Sequence, residues 1–359
     1  NIRAQGRPGD TGREGKDKTM ALRDTHVTMA HGGGGRAMRD LIDEVFTAVF
    51  QPPGSEDQAR LTEAALQEPG ARLAFTTDSF VVTPLEFPGG DIGKLAVCGT
   101  VNDLAVGGAR PLWLSAAFII EEGCEIALLR RIVATMAAEA AKAGVRIVTG
   151  DTKVVERGKA DGVFITTAGV GVIPPGRDIG AAHIRAGDAV IVNGVLGDHG
   201  AAILAARGDL ALSADLASDC AGLGHLMQAA LAAAPGLRAA RDCTRGGLAS
   251  ALNEMAAEAG VTVEIEEARL PLRPEVVGLC EILGLDPLYL ANEGRLVLFC
   301  PPEQAEAALA AMRALPEGEG SVGIGHALPR QAHPVSLRTG FGGARIVDML
   351  VGEQLPRIC

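Results

Sequence analysis

The sequence predicts a mixed α/β (α+β) protein of two domains, and three observations support this prediction. With 359 residues, of which 47% are hydrophobic, the chain exceeds the roughly 250–300 residues at which a single core stops growing. Short apolar and β-branched runs alternate with segments of helical periodicity. Each half has strands first, then helices and then strands again, a pattern that differs from strict βαβ alternation.

The first half contains the clearest helix signal. RLAFTTDSFVVTPL (72–85) predicts a strand broken by a polar turn at TTDS, and PLWLSAAFII (111–120) predicts a buried strand. A helix is predicted over 121–144, because acids open the segment, Gly144 closes it and apolar residues recur on one face. Those apolar residues are Ile126, Leu129, Ile132, Val133 and Met136.

The remaining strands and helices of both halves are predicted in the same way. VRIVTGD (145–151) and GVFITTAGVGVI (162–173) close the first half as strands, and the turn IPPGR (173–177) is a plausible domain boundary. The segments that follow it are predicted as a strand at DAVIVNG (188–194), helices at 197–208, 222–233, 246–259 and 302–315, and strands at VTVEIEE (261–267) and GRLVLFC (294–300).

Composition excludes several classes of partner. The net charge of -11 and the low pI of about 5.2 argue against nucleic acid and anionic membrane surfaces. No apolar run reaches the roughly 18 residues of a membrane span. The seven cysteines contain no C-x-x-C pair, so neither a disulfide framework nor a structural zinc site is expected, and a reducing cytoplasm is predicted.

HGGGGR (31–36) is a flexible backbone segment before a helix predicted to start at Ala37. Its exposed N–H groups suit the close approach of an anion. The spacing Gly32-x-Gly34-x-x-Ala37 formally fits a dinucleotide fingerprint, but no strong strand precedes it. A nucleotide-covering lid and a plain mobile loop remain open.

Four aspartates lie in glycine-rich or polar segments interpreted as strand ends and helix starts: Asp78, Asp103, Asp151 and Asp242. Carboxylates from separate elements that converge on one point repel each other unless a cation neutralises them, and Mg²⁺ with phosphate is the usual solution. Each aspartate taken singly is also a common turn former or helix cap.

Four other side chains are candidates with ordinary alternatives. Lys153 follows Asp151 by two residues, Glu293 precedes a strand, and His199 lies in GDHG; solvated, ion-paired or surface roles are the alternatives. The sequence ends in LPRIC, where Pro356 favours an extended segment and Arg357 is expected to favour the thiolate of Cys359. A frayed tail is the alternative for that cysteine.

Long motifs of the chain resemble the HypE family of hydrogenase maturation proteins, within the larger group of aminoimidazole ribonucleotide synthetase, selenophosphate synthetase and thiamine-monophosphate kinase. The matching segments run from about residue 25 to 359 and are HGGGGRAM, TTDSFVVTPLEFPGGDIGKLAVCGTVNDLAVGGA, EEG, VTGDTKVVERG, GDHG, DCTRGGL, GLDPLYLANEG and LPRIC. The block from 87 to 109 and the LPRIC end are the most specific of them.

The resemblance implies a synthetase-like fold that binds ATP with Mg²⁺. It implies a disordered leader (1–24), an N-terminal ATP-binding domain (25–176) contributing to a dimeric β-barrel, a C-terminal α/β domain (177–345) and a flexible tail (346–359) that carries Cys359. The nucleotide would lie near the interface of a homodimer, under the glycine-rich lid.

The resemblance also implies a reaction. In this family the carbamoyltransferase HypF loads a carbamoyl group onto the terminal cysteine, here Cys359. ATP-dependent dehydration then converts the group to a thiocyanate, and the HypC–HypD complex receives cyanide for the iron of [NiFe]-hydrogenase. Glu293 is the first choice for the base and Lys153 for its charge-stabilising partner, although these roles are exchangeable.

The remaining roles are carried over residue by residue. The expected nucleotide-binding residues are His31, Gly32, Gly33, Gly34, Gly35, Asp78, Asn102, Asp103, Gly150 and Asp151. The expected Mg²⁺ ligands are Asp78, Asp103, Asp151 and Asp242. The alternatives are another ATP-dependent synthetase or kinase of the same fold, resembling selenophosphate synthetase or thiamine-monophosphate kinase, and a scaffold that presents its tail to a partner.

Overall fold

The computed structural model describes residues 22, 24–53, 58–208, 216–350, 352 and 355–359. The predicted disordered leader lies outside these residues except for Leu22 and Asp24. The helices are α1 (Arg36–Leu41), α2 (Ala48–Phe50), α3 (Ile92–Val106), α4 (Ile126–Ala143), α5 (Asp198–Ala206), α6 (Gly224–Ala233), α7 (Gly247–Ala259), α8 (Pro274–Leu283) and α9 (Pro302–Arg313). A 3-10 turn (Met29–Gly32) precedes α1, and a π-helical segment (Ile42–Thr47) joins α1 to α2.

The strands form two large sheets and one small hairpin. Their bounds are β1 (Arg72–Phe80), β2 (Glu86–Phe87), β3 (Gly90–Asp91), β4 (Arg110–Glu121), β5 (Arg146–Val155), β6 (Val163–Ile173), β7 (Ala189–Val192), β8 (Ala239–Asp242), β9 (Val261–Glu266), β10 (Leu296–Cys300), β11 (Val322–Pro329), β12 (Val335–Arg338) and β13 (Ala344–Ile346). The mixed α/β fold predicted from the sequence is therefore confirmed.

The first sheet has the order β1-β6-β4-β5 and carries helices on only one of its faces. On the helix-covered face, Leu114, Phe118 and Ile120 of β4 are buried in one cluster with apolar residues of α3 and α4. The other face is open in this chain, where Leu73 and Phe75 of β1 are 60% and 69% exposed. A sheet with one open apolar patch is suited to pack against another surface.

Helix α4 follows the predicted apolar pattern, but it begins at Ile126 and not at 121, because Glu121 ends β4 and residues 122–125 form a turn. Its five predicted apolar residues are all buried, because they share the stripe that faces the sheet. Gly144 ends the helix with φ of +69°, in the left-handed conformation that glycine adopts without steric cost.

Strand β1 corrects one prediction, because TTDS does not form a turn. Thr76, Thr77, Asp78 and Ser79 continue the strand and pair in register with β6. Alternate side chains of this polar segment serve the two faces of the sheet, so polarity alone did not indicate a break.

The second sheet has the order β13-β12-β9-β11-β7-β10-β8 and is covered on both faces. Leu248, Leu252 and Met255 of α7 pack against one face. Helices α6 and α9 cover the other face, with Met227 and Met312 among the buried residues. The strands between them are therefore apolar on both sides.

Asn102 of α3 joins the two halves of the chain. Its side-chain amide donates to the carbonyl oxygen of Ala221 at 3.0 Å and accepts from the N–H of Leu223 at 2.7 Å. These bonds fix the segment before α6 against the first half, which positions the site described below. Across the described residues, no helix combines the length and the apolar character that a membrane crossing requires.

Candidate active site

The tail segment, Leu355–Cys359, lies against the chain that leaves β1. Ile358 forms an isolated antiparallel bridge with Val82, and the N–H of Val81 donates to the carbonyl oxygen of Cys359 at 3.0 Å. Ile358 is buried and Cys359 is half-buried. The tail is thus held as a short added strand.

Two side chains fix the tail through its carbonyl groups. Nε2 of His199 lies 2.7 Å from the carbonyl oxygen of Ile358. Arg207 donates from Nη2 to the carbonyl oxygens of Pro356 and Arg357 at 2.6 and 2.7 Å. Because these contacts reach backbone atoms, they hold the chain direction of the tail and leave the thiol of the last residue unrestrained.

The tautomer of His199 follows from its partners. A carbonyl oxygen only accepts, so Nε2 of His199 carries the proton that is donated to Ile358. Nδ1 then accepts from the hydroxyl of Ser218 at 2.8 Å, while that hydroxyl accepts from the N–H of Cys220 at 3.1 Å. Burial lowers the pKa of His199, which keeps the ring neutral.

The docked tail brings the thiol of Cys359 beside the carboxyl group of Glu293. Burial raises the pKa of Cys359 above its ordinary value, and the negative charge of the neighbouring Glu293 raises it further. Arg245 opposes this effect with its positive charge. The sulfur is therefore a neutral thiol in this position.

Glu293 is only 3% exposed, and its Oε1 has no hydrogen-bond partner among the described residues. Burial raises its pKa well above the ordinary value, and the carboxylates of Asp219 and Asp242 add to the rise. Such a group binds a proton readily and gives the site an acid or base close to the sulfur.

The backbone around Glu293 is fixed by buried polar contacts. Its N–H donates to Oδ1 of Asp219 at 3.0 Å, and the amide of Asn102 reaches its carbonyl oxygen at 3.4 Å. At Gly294 a Cβ atom would lie 1.9 Å from the carbonyl oxygen of Asp219, so only glycine allows this approach. The surface ion pair considered for Glu293 is therefore wrong.

Three of the predicted aspartates converge near these groups. The hydroxyl of Thr76 donates to Asp103 at 2.8 Å. Burial raises the pKa of Asp103, and the charge of Asp78 contributes. Burial also raises the pKa of Asp242 to about 7, with further contributions from Asp103 and Asp78. The three carboxylates lie close enough to repel each other.

The acidic cluster (Asp78, Asp103 and Asp242) has the chemistry that a hard cation prefers. In the part of the chain that the structure describes, no three metal-binding side chains stand close enough to hold an ion by themselves. The fit to Mg²⁺ consequently rests on the repulsion among these oxygens, which a cation would relieve, and on additional oxygens from phosphate or water.

The local structure of two aspartates differs from the prediction. Asp103 lies within α3, near its end, and not in a turn, because the helix continues through NDLAV to Gly107. Asp151 lies inside β5 and not at a strand end. Only Asp242 ends a strand and precedes a glycine-flanked helix start, as predicted.

Asp151 and Lys153 lie far from the acidic cluster within one chain. They form an exposed ion pair at 3.1 Å on β5, at the opposite edge of the sheet from β1. Three strand spacings separate these edges, about 14 Å. Moreover, they pair with Ala117 and Ile119 on the open face, whereas Asp78 lies on the helix-covered face.

The glycine-rich segment and β5 form a separate cleft of about 720 Å³. Gly34, Gly35, Gly150 and Asp151 line this cleft together with apolar residues of the first helical segments. Gly32 packs on β5, where a Cβ atom would lie 2.8 Å from the Cβ of Val154. Six of the ten predicted nucleotide-binding residues thus divide between this cleft and the acidic cluster.

His31, Gly33 and Asn102 lie in neither of these places as free ligands. His31 is fully buried and its Nδ1 accepts from the N–H of Thr28 at 3.0 Å. Gly33 is exposed in the turn before α1. Both polar ends of the Asn102 side chain are bonded to backbone groups.

The cation near Cys359 is another residue than the one predicted. Arg357 pairs with Asp161 at 3.2 Å, so the expectation that it favours the thiolate is wrong. Arg245 is the cation that acts on the thiol. Sequence reasoning missed Arg245 and Asp219, since the former was considered only as part of DCTRGG and the latter has no motif around it.

Family comparisons divide the chain into two matched regions. A model described as AIR synthase related protein, N-terminal domain, matches residues 56–173, and one described as AIR synthase related protein, C-terminal domain, matches residues 185–336. The fold and the site at the junction of its halves therefore define a two-domain protein of the AIR synthase-related class.

Individual relatives are more specific. The carbamoyl dehydratase HypE of Rhodobacter capsulatus is 78% identical over 95% of this chain and 100% of its own. A crystal structure of hydrogenase maturation protein HypE in complex with ATP is 44% identical, with a TM-score of 0.87 over 92% of this chain and 99% of the other. A HypE–HypF complex is 43% identical, with a TM-score of 0.75 over 86% of this chain and 99% of the other.

These values place the chain within one family. It belongs to the HypE family of carbamoyl dehydratases, which confirms the resemblance predicted from its motifs.

Proposed function

We propose that this protein is an ATP-dependent carbamoyl dehydratase of [NiFe]-hydrogenase maturation. Its substrate is a carbamoyl group on Cys359, and its product is a thiocyanate on the same sulfur. The observation that carries the proposal is the docking of Cys359 beside the buried carboxyl group of Glu293. The names of the relatives support the same reaction.

The reaction balances in two stages. The carbonyl oxygen of the S-carbamoyl group attacks the γ-phosphorus of ATP, and ADP leaves. The nitrogen then loses two protons, the C–O bond breaks, and phosphate departs with one of these protons, which leaves S–C≡N. Phosphorylation is needed because oxide is a poor leaving group and phosphate is a good one.

Glu293 serves as the group that receives a proton from nitrogen. Its backbone is fixed by Asp219, so the carboxyl group is positioned before the substrate arrives. Its raised pKa makes it a strong proton acceptor once ionised. Glu293 itself is only 3% exposed, so little water competes with the substrate for this carboxyl group.

The acidic cluster would hold Mg²⁺, which when bound supplies positive charge for the phosphate oxygens. Asp103 is oriented for this purpose by Thr76. The glycine-rich cleft beside β5 offers backbone N–H groups for ATP. The ATP complex of a HypE protein supports this assignment of the nucleotide.

A homodimer completes the proposed arrangement. The open face of the first sheet presents Leu73 and Phe75 to solvent, and Lys153 lies on that same face. Packing two such faces together would bury these apolar side chains, as in the dimeric β-barrel implied by the resemblance. It would also make Lys153 an interface residue.

The proposed partners act before and after the dehydration. HypF supplies the carbamoyl group, which the HypE–HypF complex supports, and the HypC–HypD complex receives the cyanide. We place these steps in the cytoplasm, where all seven thiols stay reduced.

Mass spectrometry of the peptide that contains Cys359 tests the proposal. With HypF, carbamoyl phosphate and ATP, the peptide should gain a carbamoyl group and then lose the mass of one water. An unmodified peptide would overturn the proposal that Cys359 carries the carbamoyl group. ADP formation with thiamine monophosphate would instead favour a kinase.

Glu293→Gln tests the role of the carboxyl group, because the amide keeps the shape and cannot take the proton. We expect normal carbamoylation and thiocyanate formation reduced by about 10²–10⁴-fold. Glu281→Gln, an exposed position on α8, is the matched control. Unchanged turnover in Glu293→Gln would remove this residue from the mechanism.

A further inference from the structure

Arg245 lies in a turn, and the two residues that follow it have backbone conformations that only glycine adopts without strain. Gly246 and Gly247 have φ of +73° and +58°, and a Cβ atom on Gly247 would lie 2.5 Å from the carbonyl oxygens of Leu288 and Leu290. The chain is therefore pressed against the segment that leads to Glu293 as it enters α7. This contact fixes the point from which the Arg245 side chain extends.

The Arg245 side chain borders two cavities at once. One has a volume of about 380 Å³ and is lined by Cys359, Ser79 and the tail. The other has a volume of about 600 Å³ and is lined by Asp103 and Asp242. Arg245 therefore stands at the boundary between the reacting sulfur and the acidic cluster.

Arg245 has an unusual electrostatic position. Its charge acts on both Cys359 and Asp103. Two other arginines near the site are neutralised by carboxylates, Arg241 by Glu254 and Arg357 by Asp161. For Arg245 the described residues provide neither an ion pair nor a hydrogen bond, and its side chain is exposed.

A guanidinium beside carboxylates usually pairs with one of them. One that borders the substrate cavity without such a pair has all five donors available for an anion, and its planar fork matches phosphate oxygens. The only anion that the proposed reaction creates next to the sulfur is the phosphoryl group on the carbamoyl oxygen.

We infer that Arg245 binds this phosphoryl group while it is attached to the carbamoyl oxygen, and binds the phosphate that leaves. The inference rests on the proposed function and assigns a further catalytic residue to it. When the C–O bond breaks, its electron pair goes to the departing oxygen, and Arg245 stabilises the charge that accumulates there. Lys153 cannot serve this purpose from within the same chain, because it lies at the far edge of the sheet.

Turnover of Arg245→Gln is the first test. With carbamoylated protein and saturating ATP, we expect thiocyanate formation to fall by about 10²–10³-fold, the usual loss when one donor to a developing oxyanion is removed. Carbamoylation of Cys359 should persist, and Arg245→Lys should recover part of the rate because it keeps the charge without the fork. Arg269→Gln, which removes an exposed charge beside Glu266, is the control.

Phosphate protection is the second test and does not depend on dehydration. Inorganic phosphate should slow the alkylation of Cys359 by iodoacetamide in the wild-type protein and in Arg269→Gln, and it should have no effect in Arg245→Gln. The other six cysteines are buried, so the modified peptide reports on Cys359 alone.

The two tests separate the inference from the proposed function. If the wild-type protein forms thiocyanate and Arg245→Gln forms it equally fast, the role of Arg245 is wrong and the dehydratase stands. If the wild-type protein forms none, the dehydratase falls, and phosphate protection that depends on Arg245 still establishes the anion site. Equal protection in both proteins would overturn that site.

Discussion

Glu293 is a carboxyl group that the fold removes from water without giving one of its oxygens a partner. Burying a carboxylate in this way costs free energy unless the group holds a proton or meets a positive charge. Asp219 makes the cost larger, since its charge is close by. The arrangement destabilises the site in exchange for a reactive group, as is common at functional positions.

Repulsion among the carboxylates of the acidic cluster also destabilises the folded state, which predicts that the free energy of unfolding depends on pH. The pKa of Asp242 rises from 3.8 to about 7 on folding, so the folded state favours the protonated form. The contribution of Asp242 to the free energy of unfolding is therefore most favourable below pH 3.8, and it is lost as the pH rises through about 7.

Asp242→Asn removes this dependence. The difference in unfolding free energy between the variant and the wild-type protein should grow by about 1–2 kcal/mol in favour of the variant from pH 5 to pH 8. This magnitude is reduced for the partial exposure of the Asp242 side chain. Urea unfolding at both pH values measures the change, with the exposed Asp348→Asn as the control. Mg²⁺ should stabilise the wild-type protein at pH 8 more than the variant. A constant difference between the two proteins at all pH values would contradict the prediction.

Among the elements of the fold, the tail segment is held mainly through its backbone. All four carbonyl oxygens from Pro356 to Cys359 accept hydrogen bonds from other parts of the chain. Because these bonds reach only backbone oxygens, none of them involves the sulfur or the group that it carries. The same segment is able to leave as a unit when its few anchors are released.

Arg207→Gln weakens two of these anchors and leaves the thiol untouched. A hydrogen bond from a charged donor contributes about 1.5–3 kcal/mol, and glutamine can retain part of this contribution, so we expect Cys359 to react with iodoacetamide at least about 10-fold faster. Amide exchange of residues 355–359 should rise in parallel. Arg130→Gln is the matched control, because Arg130 also donates to a backbone carbonyl, that of Glu44, away from the tail. An unchanged alkylation rate would show that Arg207 does not hold the tail.

The elements themselves were largely predictable from sequence. Helix α4 and strand β4 follow periodic patterns that buried faces impose. The errors fell where polar residues continue an element: TTDS inside β1 and Asp103 inside α3. In both places polar side chains form hydrogen bonds with residues that are distant in sequence, such as Thr76 with Asp103. The local sequence pattern does not indicate such contacts.

At the scale of the whole molecule, the site depends on pairings that no single segment encodes. Glu293 and Cys359 come from different parts of the second half, and Asp219 reaches Glu293 from a segment with no recognisable motif. The motifs indicated candidate functional residues, but the convergence of these residues required the packing of α3 against the segment before α6. The strand order of the first sheet separates Lys153, on the edge strand β5, from the residues with which the motifs had grouped it.

This separation makes a prediction about the proposed homodimer. Within one chain, Lys153 and Glu293 cannot meet, since Lys153 lies on the open face at the far edge of the first sheet. If Lys153 serves the reaction, it does so in the site of the partner subunit. Glu293→Gln and Lys153→Gln should each be inactive as pure dimers, and they should complement each other when mixed.

Random exchange of the two variants makes half of the dimers mixed, and each mixed dimer has one site with both native residues. The mixture should therefore regain about a quarter of the wild-type activity, measured as thiocyanate on the Cys359 peptides after unfolding and refolding together. Unmixed variants taken through the same treatment are the control. A mixture that stays inactive would place Lys153 outside the reaction of the partner subunit, because shared sites across a twofold interface must complement.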